Sequence, residues 1–172
     1  MKQLLVLAAA LAGLAGPPAM AVPAPKVTSV ATLKDLPTPL PLPYDEAADA
    51  KTVDARVDAA LAKAKATHKL VLIDLGGNWC PDCRILAAVM HLPEVQAFVD
   101  AHYVVVPVDI GRRNKNLQVA ARFGMQKVAG VPSLLIIDRH GKVVDRGHIE
   151  ALADARSMAP QALADWLAQW TK

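Results

Sequence analysis

Cys80-Pro81-Asp82-Cys83, directly after Trp79, holds the only two cysteines of a 172-residue chain. With no third thiol, any disulfide within the chain must join these two. A bridge across so short a loop adds little stability: the chain-entropy relation gives about 2 kcal/mol, against about 3 kcal/mol for a 15-residue loop. The pair therefore reads better as a redox switch than as a staple. An inert structural disulfide stays open as an alternative. So does a zinc half-site, since the cysteine spacing suits a metal and the chain holds five histidines. A closed zinc site needs two further ligands, yet His68, His91, His102, His140 and His148 show no paired spacing. The expectation is that neither a metal nor another cofactor is bound.

The elements that must position the cysteines can be read around them. Leu70 to Leu75 is a short apolar, β-branched run, the pattern of a strand buried on both faces, and Asp74 interrupts it. Beyond Gly76-Gly77-Asn78-Trp79 a helical pattern places Ile85, Leu86, Val89 and Met90 on one side, with the cysteines at its start. Upstream, Val53, Val57, Leu61 and Ala64 mark an amphipathic helix that begins after Tyr44 and Asp45 and ends before His68. Downstream, Pro93 opens a short helical turn, Tyr103 to Ile110 is a strand, Asn116 to Phe123 is a helix stopped by Gly124, and Ser133 to Asp138 is a strand. Arg139 to Lys142 reads as a hairpin turn into a strand from Val143 to Gly147. Pro160 then opens a closing helix that buries Leu163, Trp166, Leu167 and Trp170. This order implies an α/β domain over residues 44–172, with helices on both faces of a mixed central sheet of about four strands.

Two segments precede that domain. Residues 1–21 carry Lys2, an apolar run from Leu4 to Leu14, and small residues at Ala19 and Ala21, which reads as a secretory signal peptide cleaved after Ala21. The run is about half the roughly 20 apolar residues of a membrane span, so an uncleaved anchor is the weaker reading. The expected location is the periplasm or the exterior, with no stable membrane insertion after processing. Residues 22–43 hold six prolines and little periodicity, and read as an extended proline-rich arm or linker outside the core. A net charge of +3 and an aromatic content of 4% argue against a nucleic-acid partner. Export brings the cysteines into an oxidising compartment, where a dithiol stays reduced only if something supplies electrons.

Four features recur in a fixed order: Trp79-Cys80-Pro81-Asp82-Cys83 at a strand-to-helix junction, Asp74 upstream of the first cysteine, Gly130-Val131-Pro132-Ser133 before an apolar strand, and Gly147 ending the hairpin. In these, from Lys69 to Gly147, the chain resembles the thioredoxin superfamily. The resemblance implies a thioredoxin fold with Cys80 as nucleophile, Cys83 as resolving thiol and Asp74 as a buried acid that accepts its proton. It also implies that Pro132 is cis, that the backbone at Val131 pairs with an extended substrate, and that Trp79 shields the disulfide. A thiol at a helix N-terminus meets unpaired N–H groups and the positive dipole end, which favours thiolate at Cys80. Burial would raise the Asp74 pKa toward neutrality. Pro81 and Asp82 would tune the loop, Pro81 by stiffening the first helical turn.

Departures from the family accompany these matches. The neighbouring strand, Tyr103 to Asp109, lacks the lysine that often pairs with the buried acid, so Asp74 is either more perturbed or paired otherwise. The stretches 109–132 and 148–159 are extended, and Arg112-Arg113-Asn114-Lys115 is either a solvated loop or a docking surface for an acidic partner. The expected function is an exported thiol:disulfide oxidoreductase that reduces or exchanges protein disulfides. Its partners would be protein thiols or disulfides and an unidentified electron donor or acceptor. The reducing direction rests on Asp82, whose charge disfavours a Cys80 thiolate by about 1–2 kcal/mol at an effective dielectric near 20. The alternatives are a disulfide oxidase or isomerase, and a redox-inactive binding module on the same scaffold.

Overall fold

In the computed structural model, which describes residues 22–171, the apolar run Leu70–Gly76 forms the central strand, β1. The expected signal segment, residues 1–21, lies outside the described residues. β2 (Tyr103–Asp109) runs parallel to β1 on one side and β3 (Ser133–Ile137) antiparallel on the other, giving the order β2-β1-β3. Successive strand side chains enter opposite cores. Val71, Ile73 and Leu75 pack with Val53 and Val57 of α1 (Ala50–Thr67) and Val119 of α4 (Gln118–Arg122). Leu72 packs with Leu86 of α2 (Pro81–Met90), Phe98 of α3 (Pro93–His102) and Leu163 of α5 (Pro160–Ala168). A strand covered on both faces has no polar side, and this is why β1 reads as a near-continuous apolar run. Asp74, two residues from Leu72, shares the face that meets α2.

Local chemistry sets the element ends. Asp49 caps α1 by accepting the Thr52 N–H at 2.8 Å, so the helix starts at Ala50, after a turn in which the Ala48 N–H reaches the Asp45 carbonyl. α4 is shorter than the expected Asn116 to Phe123, because Asn116 takes a φ of 52° and its side-chain amide donates to the Asp109 carbonyl at 2.8 Å.

The expected fourth strand, Val143 to Gly147, makes a single bridge between Val143 and Ile137. Val144 donates to the Ile136 carbonyl at 2.9 Å, but the Ile136 N–H goes to the buried Asp145 carboxylate at 3.0 Å, and Gly147 turns away with a φ of 90°. A side chain thus replaces the next ladder bond, and the sheet of the described residues has three strands.

Residues 22–43 follow the α3 and α5 side of the body. The Thr28 and Ser29 N–H groups donate to Glu94 Oε1 at 2.6 and 2.8 Å, and the Val27 N–H donates to Gln161 Oε1 at 2.8 Å. Leu36 lies within the core cluster itself, unlike the segment outside the core that its prolines suggest. No described helix is long and apolar enough to cross a membrane.

Candidate active site

β1 ends at Gly76 and a tight turn leads into α2, where Cys80 is the N-cap and Pro81 the first helical residue. Proline suits that position, since its missing N–H would have had no helical partner. The Cys83 N–H donates to Cys80 Sγ at 3.2 Å, and the Cys80 thiol lies 3.5 Å from the Val131 carbonyl, which accepts from it. Both cysteines are free thiols and both are buried. Hydrogen bonding from Cys83 draws the Cys80 pKa down to about 7, although burial opposes it. Pairing with Cys80, then burial, push the Cys83 thiol far above its ordinary value.

Beneath the pair, burial pushes the Asp74 carboxyl up to about 7, against the pull of a hydrogen bond from Tyr44. The Tyr44 hydroxyl donates to Asp74 Oδ1 at 2.9 Å, and this answers the missing lysine: the acid is paired, by a neutral phenol. β2 offers Pro107 opposite Asp74 and β3 offers Leu134, neither of which can ionise. Tyr44 is held in turn by Asn78, whose side chain accepts the Tyr44 N–H at 3.1 Å and donates to its carbonyl at 2.9 Å.

The Val131–Pro132 peptide is cis, and the Val131 carbonyl lies beside Cys80. Trp79, directly before Cys80, is held from its own side: its ring N–H donates to the Gly111 carbonyl at 2.8 Å, and the Arg112 guanidinium stacks 4.5 Å from its centroid. The remaining cations of that basic run are engaged within the chain, Arg113 with the Ala129 carbonyl and Lys115 with Asp109 at 3.0 Å. Arg112 and Arg113 are nonetheless exposed.

Asp82, expected to disfavour a Cys80 thiolate by its charge, is buried and paired with Arg156, which reaches both carboxylate oxygens and also donates its backbone N–H at 2.8 Å. Burial disfavours the charged carboxylate, yet the Arg156 hydrogen bonds outweigh it and hold the Asp82 pKa below the ordinary value. Its repulsion of a Cys80 thiolate persists but ranks below the thiol pairing and burial. Sequence reasoning thus brought together Cys80, Cys83, Asp74, Val131 and Pro132, and missed Tyr44, Asn78 and Arg156. A buried acid without a lysine called for some partner, but no local pattern pointed to Tyr44.

Among the described residues no three His, Cys, Asp or Glu side chains gather where they could hold a metal ion. Residues 52–139 match the profile of thioredoxin-like proteins. Thioredoxin H4 of Arabidopsis thaliana is 34% identical over 87 residues, 50% of this chain and 65% of that protein, so the chain spans less than two thirds of this relative's length. The solved structure of a disulphide isomerase from Xylella fastidiosa Temecula1 superposes with a TM-score of 0.68 at 37% identity, covering 76% of this chain and 97% of that one. The profile match takes in α1, the β1–α2 junction and the cis-proline loop across just over half of the sequence, and by it this chain belongs to the thioredoxin-like family.

Proposed function

We propose that the chain is an exported thiol:disulfide oxidoreductase that reduces or exchanges protein disulfides through Cys80 and Cys83. The observation that carries this reading is the position of Cys80 at the head of α2, with its pKa drawn to about 7 and its sulfur beside the Val131 carbonyl. About half of such a thiol is thiolate at neutral pH, and the thiolate is the attacking species.

The Cys80 thiolate attacks one sulfur of a substrate disulfide; that S–S bond breaks and the first substrate thiolate leaves, taking a proton from solvent. Cys83 then gives up its proton toward Asp74 and attacks the Cys80 sulfur. The Cys80–Cys83 bond forms, the mixed disulfide breaks, and the second substrate sulfur departs as a thiolate that takes a proton from solvent, two electrons having passed to the substrate. An external dithiol, of unidentified origin, must return them. The backbone at Val131 is the edge along which an extended substrate would pair, and Trp79 would cover the sulfur pair from the side.

The Cys80 thiol supports one direction over the other. Strong oxidases have thiols that ionise near 3.5 and thioredoxin near 7, so Cys80 at about 7 supports the reducing and exchanging side. Asp82 adds less to that direction than a bare carboxylate would, since Arg156 offsets its charge. Similarity to a protein named as a disulphide isomerase favours isomerisation as the second reading. Equilibration with glutathione and insulin-disulfide reduction test the assignment. A potential near about −270 mV with active reduction supports a reductase, about −180 mV with recovery of a scrambled substrate supports an isomerase, and about −120 mV overturns both in favour of an oxidase. No exchange by the folded protein would leave a binding module. For export, residues 1–21 motivate an intact-mass test: the processed form should begin at Val22, and a mass retaining Met1 overturns cleavage.

A further inference from the structure

We propose that the Tyr44 hydroxyl relays the Cys83 proton to Asp74 in the resolving step, an inference that rests on the exchange reading above. Cys83 must lose its proton before it can attack the mixed disulfide. The acid placed to receive that proton, Asp74, hydrogen-bonds the Tyr44 hydroxyl at 2.9 Å. Tyr44, Cys80 and Cys83 form one buried cluster. A Cβ added to Gly76 would lie 2.8 Å from Cys83 Sγ and 2.7 Å from the Tyr44 ring carbon that bears the hydroxyl, so thiol and phenol crowd the same point. This approach is why position 76 carries a glycine.

A phenol both donates and accepts. Its hydrogen faces Asp74, leaving its oxygen lone pairs to take the Cys83 proton. The balance is simple: the Cys83 proton passes to Tyr44 Oη, the Tyr44 proton passes to Asp74 Oδ1, and the phenol is regenerated unchanged. Cys83 is left as the thiolate that attacks Cys80. Burial keeps Tyr44 from ionising, so it conducts the proton without storing charge. The groups that face Asp74 are Tyr44 and the two cysteines, with Pro107 and Leu134 beside it on the neighbouring strands. Asn78 fixes the path by gripping both backbone groups of Tyr44, and it lies on the turn that carries the cysteines. The turn that carries the nucleophile thus also holds the relay residue in place.

The test is Tyr44→Phe, which removes only the hydroxyl. A mixed disulfide formed at Cys80 with a fluorescent thiol is followed by stopped flow as Cys83 displaces it. Resolution should slow by roughly 10- to 100-fold, near the lower end of what positioned proton-transfer groups contribute, while the first attack by Cys80 keeps its rate. The pH midpoint of resolution should move upward, because the hydrogen bond that lowers Asp74 is gone. An unchanged resolution rate and midpoint overturn the relay and leave the exchange reading standing; absence of exchange in the unmodified chain overturns that reading instead. A second measurement needs no substitution at 44. With 3-fluorotyrosine at the two tyrosines, the Tyr44 fluorine signal should titrate with Asp74 near about 7 and lose that step in Asp74→Asn. A Tyr44 signal indifferent to Asp74 overturns the relay.

Discussion

Cys80 and Cys83 sit one turn apart on α2, yet their surroundings push them in opposite directions: Cys80 is drawn down by the hydrogen bonds it receives, and Cys83 is driven up by pairing and burial. Cys80→Ser should therefore abolish turnover. Cys83→Ser should leave Cys80 able to attack and unable to release, so that mixed disulfides accumulate on non-reducing gels; equal trapping by both variants would refute this assignment of roles. Asp74 carries a different consequence. Its folded pKa, about 7, lies above its ordinary 3.8, so its favourable contribution is complete below about pH 4 and is lost as pH rises through about 7. Asp74→Asn removes that loss and keeps an oxygen to accept the Tyr44 hydrogen bond. The variant should gain stability over the unmodified chain between about pH 4 and pH 7, by an amount of the order of a few kcal/mol that levels off above. Urea unfolding of the reduced protein on either side of that window checks it, and a pH-independent difference would show that the carboxyl is not the titrating group.

At the scale of elements, the segment between β3 and α5 shapes the cysteine loop from outside. The short 3-10 turn Ala155–Ser157 brings Arg156 to Asp82, across 74 residues of sequence. Arg156→Gln would leave a buried carboxylate unpaired near Cys80 and should raise the Cys80 pKa. The rise should stay below about one unit, because the Arg156 side chain is 56% exposed and solvent screens it. Thiolate absorbance against pH reads it out, with Asp82→Asn/Arg156→Gln returning close to the starting value; a fall in Arg156→Gln alone would sink the idea. The same geometry explains what the sequence could and could not reveal. β1 was legible because burial on both faces demands an unbroken apolar run, and the start of α2 because Pro81 fits only the first turn. The Val143 to Gly147 strand misled, since its pattern does not disclose that the Asp145 carboxylate takes the Ile136 N–H. Tyr44 and Arg156 were invisible, because pairings 30 and 74 residues apart are settled by packing and leave no local period.

For the whole molecule, the question is whether residues 22–43 and the cysteine site behave as one body. The stretch is held at separate points: Thr28 and Ser29 by Glu94 on α3, Val27 by Gln161 on α5, Leu36 in the core, and Leu40 and Pro41 by Arg84 next to Cys83. It then enters the site as Tyr44, which Asn78 grips independently. Loss of the early holds should therefore free the stretch without moving Tyr44. Glu94 is the place to test this. The Ser29 and Thr28 N–H groups hold its pKa down to about 2, against an ordinary 4.5. Its contribution to docking is thus full above about pH 4.5 and disappears as pH falls through about 2. Glu94→Gln should weaken docking at neutral pH, where the carboxylate is charged and its hydrogen bonds are strongest. The Thr28 and Ser29 amides should exchange faster, and trypsin should cut at Lys26 and Lys34 sooner, while the α2 amides and the rate of exchange with glutathione stay unchanged. In the unmodified chain the same amides should lose protection only as acid carries Glu94 toward its folded pKa. Unchanged cleavage in Glu94→Gln would show that Leu36 and Arg84 suffice to hold the segment. Slower thiol exchange would show that Tyr44 is placed by the docked stretch, and that Asn78 alone does not hold it.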